Sequence, residues 1–232
     1  MRAIILSAGR GNRMRPLSDH TPKPLLMIAG KPLIVYHLES FAKAKIHDII
    51  INLGHLGEKL ALALGDGSRF GVNIEYSYEE PVLETGGAIV KVLSKLGSDP
   101  FVVISADIFT DFPFERFKRP LEKLAHLILV DNPPHHRRGD YALIENKFVS
   151  ETGEPLFNFA GMGVYRPELF SGSPKGILRL PDLFKQPFKD RQITGEYYAG
   201  LWHNIGTPEQ LSEIDRVMSR VEPETIPKAN EF

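Results

Sequence analysis

The chain contains 232 residues, of which 28 are basic and 29 acidic, so its formal net charge is −1, and it contains no cysteine. This composition excludes disulfides, thiolate metal sites and a cysteine nucleophile, and it lacks the basic excess of a general nucleic-acid binder. No apolar run reaches the roughly 18 residues that a membrane-spanning helix needs. We therefore expect a cytoplasmic enzyme that acts on small molecules and binds neither nucleic acid nor a membrane.

Strand-like apolar runs and helical patterns alternate through the first part of the chain. The predicted strands cover 2–7, 48–53, 73–78 and 101–105, and the predicted helices cover 32–44, 56–64 and 86–96. Such alternation predicts right-handed crossovers and a mainly parallel sheet. Because ligands bind outside the carboxyl ends of parallel strands, residues 8–24 and Asp107 are expected to share one site.

Beyond residue 110 the pattern changes to short strands and a closing helix. The predicted strands cover 125–130, 140–144, 147–150, 156–165 and 193–199, and the helix runs from Thr207 to about Arg220. The pieces between 132 and 200 predict an antiparallel extension, and no linker separates it from the first half. We predict one α/β domain over 1–221 and a polar tail at 222–232. Its Rossmann-like sheet would be mixed and mostly parallel, with helices on both faces and a small antiparallel extension.

A segment rich in glycine and arginine, residues 6–26, follows the first predicted strand. Gly9 and Gly11 allow close approach of the backbone to a ligand, and successive N–H groups there can form an anion-binding concavity. Four side chains add positive charge: Arg10, Arg13, Arg15 and Lys23. The segment lacks the Gly-Lys-Ser/Thr of a Walker loop and the third glycine of a dinucleotide fingerprint. A triphosphate-binding loop is the favoured interpretation, and a basic surface loop is the alternative.

The same segment resembles the signature of the sugar-phosphate nucleotidylyltransferases. The matching residues read Ser7-Ala8-Gly9-x-Gly11-x-Arg13-Met14, followed by Thr21-Pro22-Lys23-Pro24-Leu25. The resemblance spans residues 1 to about 215. Further segments at 64–71, 83–87, 130–140, 195–198 and 206–207 are most similar to members that act on N-acetylmuramic acid α-1-phosphate.

This resemblance implies transfer of a uridylyl group from UTP to a sugar 1-phosphate, with release of pyrophosphate, in peptidoglycan recycling. It also implies a nucleotide-binding half at about 1–110 and a sugar-binding half at about 111–221, and it implies no protein partner. Two alternatives remain open. One is a related transferase with another sugar or base, such as mannose 1-phosphate with GTP. The other is a nucleotide-binding regulator without catalysis.

The resemblance also implies roles for single residues. The expected nucleotide-binding residues are Ala8, Gly9, Gly11, Asn12, Arg13, Lys23, Glu79, Gly86 and Ser105. Arg13 would hold the β- and γ-phosphates and Lys23 the α-phosphate, and both are expected to be catalytic, as is Asp107. Because the attacking phosphate oxygen is already an anion, no general base is required, and catalysis can rest on positioning and charge neutralisation. The base would be read by Glu79, Glu80 or Glu84.

Mg²⁺ is the implied cofactor, with Asp107 as a ligand after the strand at 101–105; a turn or N-cap aspartate is the alternative. The family's second ligand lies in a Trp-x-Asp-x-Gly segment, and this chain has Trp202-His203-Asn204-Ile205-Gly206. Asn204 therefore stands where the resemblance implies aspartate. Its amide oxygen can still ligate Mg²⁺, but the site loses a full charge.

Three residues are the expected sugar contacts. Asp140 resembles the family's acceptor for sugar hydroxyls, and Asn158 and Gly161 lie on a strand that would line the sugar pocket. A position in the strand core is the alternative for Asn158. The basic run at 135–138 either attracts the phosphate or lactyl carboxylate of the sugar or is a solvated loop.

Overall fold

A computed structural model describes residues 1–220, so the predicted tail at 222–232 lies outside the described residues. The strands are β1 (Ala3–Leu6), β2 (Met27–Ile28), β3 (Lys31–Pro32), β4 (Asp48–Leu53), β5 (Asn73–Tyr78), β6 (Phe101–Ser105), β7 (Ile108–Thr110), β8 (Ala125–Val130), β9 (Tyr141–Ile144), β10 (Phe148–Ser150), β11 (Leu156–Tyr165), β12 (Ile193–Tyr197) and β13 (Trp202–Asn204). The helices are α1 (Leu33–Lys43), α2 (Gly57–Leu64), α3 (Glu84–Leu96), α4 (Lys185–Lys189) and α5 (Pro208–Arg220). Within residues 1–220, no helix has the length and apolar character needed to cross a lipid bilayer.

The first half of the main sheet is parallel, in the order β5-β4-β1-β6. Its central strands are apolar on both sides because helices cover both faces. Ile5 packs in the core beneath α1 and α2, whereas Ile4 packs in the core beneath α3. The predicted alternation of strands and helices is therefore confirmed for this half.

The second half of the sheet curls back on itself. β11 runs antiparallel to β6 and to β8, and β9 pairs with both β10 and β11. The strands β11, β8, β12, β10 and β9 consequently form a closed ring. Most of this extension is antiparallel, as predicted, but β12 is parallel to β8. A long crossover that contains α4 places β12 next to β8, on the side opposite β11. The short strand patterns in the sequence give no information about the direction of this crossover.

A bulge interrupts β11 where the two halves meet. The register of β11 against β8 shifts between Phe159 and Gly163, and Gly161 within the bulge has a φ of 71°. The indole Nε1 of Trp202 donates a hydrogen bond to the Ala160 carbonyl at 2.9 Å, so a backbone group in the bulge keeps a partner. Trp202 begins β13, which pairs with β7. These two three-residue strands were not predicted.

The end of β4 packs against the glycine-rich segment at Gly54. A methyl group on Gly54 would lie 2.3 Å from the Ala8 carbonyl oxygen, so the backbone would have to shift. We predict that Gly54→Ala lowers the free energy of unfolding by about 2 kcal/mol, as measured by urea denaturation.

Gly9→Ala is the matched control, because a methyl group there meets no atom within 4 Å. Its stability should change by less than about 0.5 kcal/mol. Equal losses in the two variants would show that the contact between Gly54 and Ala8 is not the cause.

Candidate functional site

A cavity of about 380 Å³ opens at the carboxyl ends of the parallel strands, the position expected for a ligand in such sheets. Its lining includes most of the predicted nucleotide-binding and catalytic residues: Ala8, Gly9, Gly11, Asn12, Arg13, Lys23, Glu79, Ser105 and Asp107. Thus strands that are distant in the sequence bring these residues together in one place.

The glycine-rich segment is shaped by a short 3₁₀ helix, Asn12–Met14. Gly11 precedes it with a φ of 63°, the left-handed conformation that glycine adopts without a steric cost. The Gly11 carbonyl accepts hydrogen bonds from the Met14 N–H and the Ser18 hydroxyl, each at 2.8 Å. Met14 is fully buried, whereas Arg13 is exposed. The buried Met14 side chain therefore fixes the segment to the protein core, and the polar side chains of the segment face the cavity.

Lys23 and Asp107 form an ion pair at the cavity wall. The Lys23 Nζ donates to Asp107 Oδ2 at 2.6 Å, and the two side chains are 13% and 27% exposed. Arg13 lies towards another part of the lining, where its Nη2 is 3.4 Å from the position of a methyl group on Gly206. This part of the cavity lining thus carries the two cations Arg13 and Lys23 beside the Asp107 carboxylate, and paired cations of this kind are suited to phosphates.

A buried hydrogen-bond network joins the ends of three strands. Asn52 Nδ2 donates to Glu79 Oε1 at 2.9 Å, and Asn52 Oδ1 accepts the Ser7 N–H at 2.5 Å. Glu79 Oε2 accepts the Leu83 N–H at 3.0 Å, and the glutamate is 7% exposed. Both carboxylate oxygens therefore hold the cavity wall together. Asn52 was missed from the sequence; an amide at the carboxyl end of an apolar strand is the signal that identifies it.

The three glutamates considered for the base differ in position. Glu79 and Glu84 line the 380 Å³ cavity, whereas Glu80 lines a neighbouring surface depression. Glu84 is exposed and has a φ of 61°, an uncommon conformation for a residue with a side chain. Glu84 is thus an accessible carboxylate at the start of α3.

Gly86, one of the predicted nucleotide-binding residues, is not in the lining of this cavity. A methyl group on Gly86 would lie 2.9 Å from the Leu178 carbonyl oxygen, and the neighbouring Gly87 N–H donates to the same oxygen at 2.9 Å. The structure therefore gives Gly86 a packing role, in which α3 approaches the backbone at 178–179 closely.

The predicted sugar residues cluster around the bulge of β11, beside the cavity and not in its lining. Asp140 Oδ2 accepts the Phe159 N–H at 2.8 Å, and Asn158 Nδ2 donates to the Phe159 carbonyl at 2.9 Å. A methyl group on Gly161 would lie 3.3 Å from Ser105 Oγ. Gly161 consequently lies between the predicted sugar residues and Ser105, which lines the cavity.

The side chains of Asp107 and Asn204 carry the oxygen donors that Mg²⁺ prefers. Asn204 pairs with Ile108 across the β7–β13 ribbon, and the Ile205 N–H donates to the Asp107 carbonyl at 2.8 Å. Within residues 1–220, no group of three or more His, Cys, Asp or Glu side chains forms a metal cage. Mg²⁺ sites built from one or two carboxylates and substrate phosphates need no such cage, so these residues fit that cofactor.

A buried histidine lies beside β7, the strand that begins directly after Asp107. His37 is fully buried on α1, and this burial lowers its pKa to about 4 despite the nearby charge of Asp107. The backbone of Ile108, at the start of β7, lies beside the ring and acts against this lowering of the pKa, as Asp107 does. A neutral imidazole therefore supports the strand that follows Asp107.

The sequence profile of the nucleotidyl transferase family matches residues 2–219. The chain belongs to the nucleotidyl transferase family. This membership confirms the resemblance stated from the motifs, and it agrees with a cavity whose walls carry Arg13 and Lys23.

Two relatives of this nucleotidyl transferase differ in the substrates that their own names state. N-acetylmuramate α-1-phosphate uridylyltransferase of Neisseria meningitidis serogroup B is 44% identical over 223 residues, which cover 92% of this chain and 96% of that protein. Mannose-1-phosphate guanyltransferase of Gibberella zeae is 31% identical over 231 residues, which cover 91% of this chain but 62% of that protein.

The fold of this chain is similar to that of solved structures. A crystal structure described as a glucose-1-phosphate thymidylyltransferase from Bacillus anthracis superposes with a TM-score of 0.84 at 22% identity, covering 96% of both chains. This similarity confirms the Rossmann-like α/β architecture expected from the sequence.

The Glu79 network yields a stability prediction. Glu79→Gln replaces one of two acceptor oxygens with an NH₂ group, although both oxygens face donors, Asn52 Nδ2 and the Leu83 N–H. A flip of Asn52 brings no rescue, because its Oδ1 accepts the Ser7 N–H. We predict a loss of about 2 kcal/mol in the free energy of unfolding, as measured by urea denaturation.

Glu80→Gln is the control, since Glu80 is exposed. It should leave the stability unchanged within error. A Glu79→Gln protein as stable as the control would mean that the network does not hold the cavity wall.

Proposed function

We propose that this nucleotidyl transferase joins UTP to N-acetylmuramic acid α-1-phosphate, giving UDP-N-acetylmuramic acid and pyrophosphate. The observation that carries the proposal is 44% identity, over nearly the whole of both chains, to the uridylyltransferase of that substrate. The cavity with Arg13, Lys23 and Asp107 in its lining supports it. The activity would serve peptidoglycan recycling in the cytoplasm. Residues 1–221 would act as one domain, whose first half binds the nucleotide and whose second half binds the sugar.

The reaction needs two anions to approach each other. A phosphate oxygen of the sugar phosphate forms a bond to the α-phosphorus of UTP, and the bond from that phosphorus to the bridging oxygen of pyrophosphate breaks. Lys23 would offset the repulsion between the two phosphates, and Arg13 would hold the leaving pyrophosphate. Preorganised charges of this kind act most strongly where charge develops in the transition state.

Mg²⁺ would be held by Asp107 and Asn204 together with phosphate oxygens, and when bound it would neutralise phosphate charge. The Lys23 ammonium already contacts Asp107 Oδ2 at 2.6 Å. Oδ1 of Asp107 and the Asn204 amide oxygen are therefore the protein groups proposed for the metal.

Uracil presents an N3–H donor between two carbonyl acceptors. The exposed carboxylate of Glu84 is the group proposed to accept from N3–H, because both oxygens of Glu79 already accept hydrogen bonds. Glu79 would act by holding the loop at 79–83 in place.

Pyrophosphate release measured with four nucleoside triphosphates and several sugar 1-phosphates tests this function. The expected result is the highest kcat/KM for UTP with N-acetylmuramic acid α-1-phosphate. Preference for GTP with mannose 1-phosphate would favour the second candidate, to which the 31% identity points. Nucleotide binding without turnover for any pair would favour a regulator.

Lys23→Ala should lower kcat by about 10²-fold or more, the range seen when one preorganised charge or donor is removed at a transition state. UTP binding, measured by calorimetry, should remain detectable, because Arg13 and the backbone N–H groups are unchanged. A variant with nearly full kcat would remove Lys23 from the mechanism.

Asn204→Asp adds a negative charge at the position proposed for the second metal ligand. Cation affinity at oxygen sites rises with ligand charge, so the half-saturating Mg²⁺ concentration should fall and turnover at low Mg²⁺ should rise. A Mg²⁺ titration of both proteins at saturating UTP measures this. An unchanged or raised requirement for Mg²⁺ in the variant would show that Asn204 is not a ligand.

A further inference from the structure

A histidine contacts the carboxylate of Asp140. His136 Nε2 lies 2.9 Å from Asp140 Oδ1, and the two side chains are 41% and 35% exposed. The other oxygen, Oδ2, accepts the Phe159 N–H at 2.8 Å. Both oxygens of a carboxylate accept, so His136 must be the donor in this contact.

The loop that carries His136 is held at several points. Asn132 Nδ2 donates to the Leu156 carbonyl at 2.7 Å and to the Arg137 carbonyl at 3.3 Å. The His136 N–H donates to the Pro133 carbonyl at 2.8 Å. Gly139 has a φ of 75°, and a methyl group on it would lie 2.7 Å from Asn132 Oδ1. The loop at 132–140 is thus closely fitted to β11, and His136 has a defined place in it.

These contacts leave acceptor positions on Asp140. A carboxylate has roughly four lone-pair sites, and the contacts with His136 and Phe159 occupy one on each oxygen. The remaining site on each oxygen can accept from a hydroxyl of a ligand. Two fixed protein donors set the plane of the carboxylate, and therefore the direction of these remaining sites.

The charge of the loop at 132–140 affects which sugar phosphate it can bind. The proposed sugar carries a lactyl carboxylate as well as its phosphate, and an isolated aspartate would repel both. Arg137 and Arg138 adjoin His136 in the sequence, so residues 136–140 contain two arginines and one acidic residue. The loop consequently places a carboxylate acceptor for hydroxyls within a basic segment, which suits an anionic sugar.

We propose that His136 is a positioning residue for sugar recognition, which fixes the Asp140 carboxylate so that its two remaining acceptor sites meet hydroxyl groups of the sugar 1-phosphate. This inference rests on the proposed function. His136 acts through Asp140 and does not contact the reacting atoms.

Four variants test the proposal: His136→Ala, His136→Gln, Asp140→Asn and the double variant His136→Ala/Asp140→Asn. The readouts are KM for the sugar 1-phosphate, KM for UTP, and sugar 1-phosphate affinity measured by calorimetry in the presence of α,β-imido-UTP. His47→Ala is the matched control, because His47 is an exposed histidine whose Nδ1 contacts the Gly71 carbonyl, away from Asp140.

His136→Ala should raise KM and Kd for the sugar phosphate roughly tenfold, the loss expected for one hydrogen bond to a charged group, and leave KM for UTP unchanged. His136→Gln should recover most of this loss, because its amide is again a donor. The double variant should be no worse than Asp140→Asn alone, since coupled residues give non-additive effects. The control should match the unaltered protein.

Equal rises in both KM values, together with a lower Tm, would mean that His136 is only structural. Penalties that add in the double variant would show that His136 does not act through Asp140. The unaltered protein tests the proposed function separately. If it prefers another sugar 1-phosphate, that function fails and the same variants are measured with the preferred sugar. If it binds no sugar 1-phosphate at all, both proposals are wrong.

Discussion

The ion pair between Lys23 and Asp107 joins two parts of the chain that are 84 residues apart, at the place where a nucleotide and a sugar phosphate would meet. Lys23 lies between Pro22 and Pro24, which fix the backbone near the end of the glycine-rich segment. Asp107 follows β6, a central strand of the main sheet. One contact therefore positions a cation and a carboxylate together, as the proposed reaction between two phosphates would need.

The rest of the structure supports this pair from two sides. On the proposed nucleotide side, Ser7, Asn52 and Glu79 link the ends of β1, β4 and β5, so hydrogen bonds connect this part of the cavity wall. On the proposed sugar side, the bulge of β11 brings Gly161 next to Ser105. The closed ring of strands in the second half thus meets the parallel half at the cavity, and neither half needs a separate domain interface.

Much of this architecture was predictable from the sequence, for identifiable reasons. Runs such as Asp48–Leu53 are apolar and rich in isoleucine, which is typical of buried strands. The parallel order then places the carboxyl ends of these strands at one edge of the sheet. That order is enough to predict that the glycine-rich segment and Asp107 share one cavity. The direction of β12 and the short strands β7 and β13 were not predictable, because three-residue strands have no periodicity and a crossover leaves no local pattern. The packing role of Gly86 depends on neighbours distant in sequence, which no local motif records. The place of Asn52 at the end of an apolar strand marks it as a candidate, but its partners Ser7 and Glu79 are distant in sequence.

We expect nucleotidyl transfer in this cavity to be a single displacement, in which residues such as Lys23 position two anions and no side chain forms a bond to phosphorus. The stereochemistry at the α-phosphorus shows whether one or two displacements take place. UTP with a chiral α-thiophosphate would be converted with the sugar phosphate, and the configuration of the product determined by ³¹P NMR. A single displacement predicts inversion. Retention would contradict it, because retention requires two displacements and a covalent nucleotidyl-enzyme intermediate.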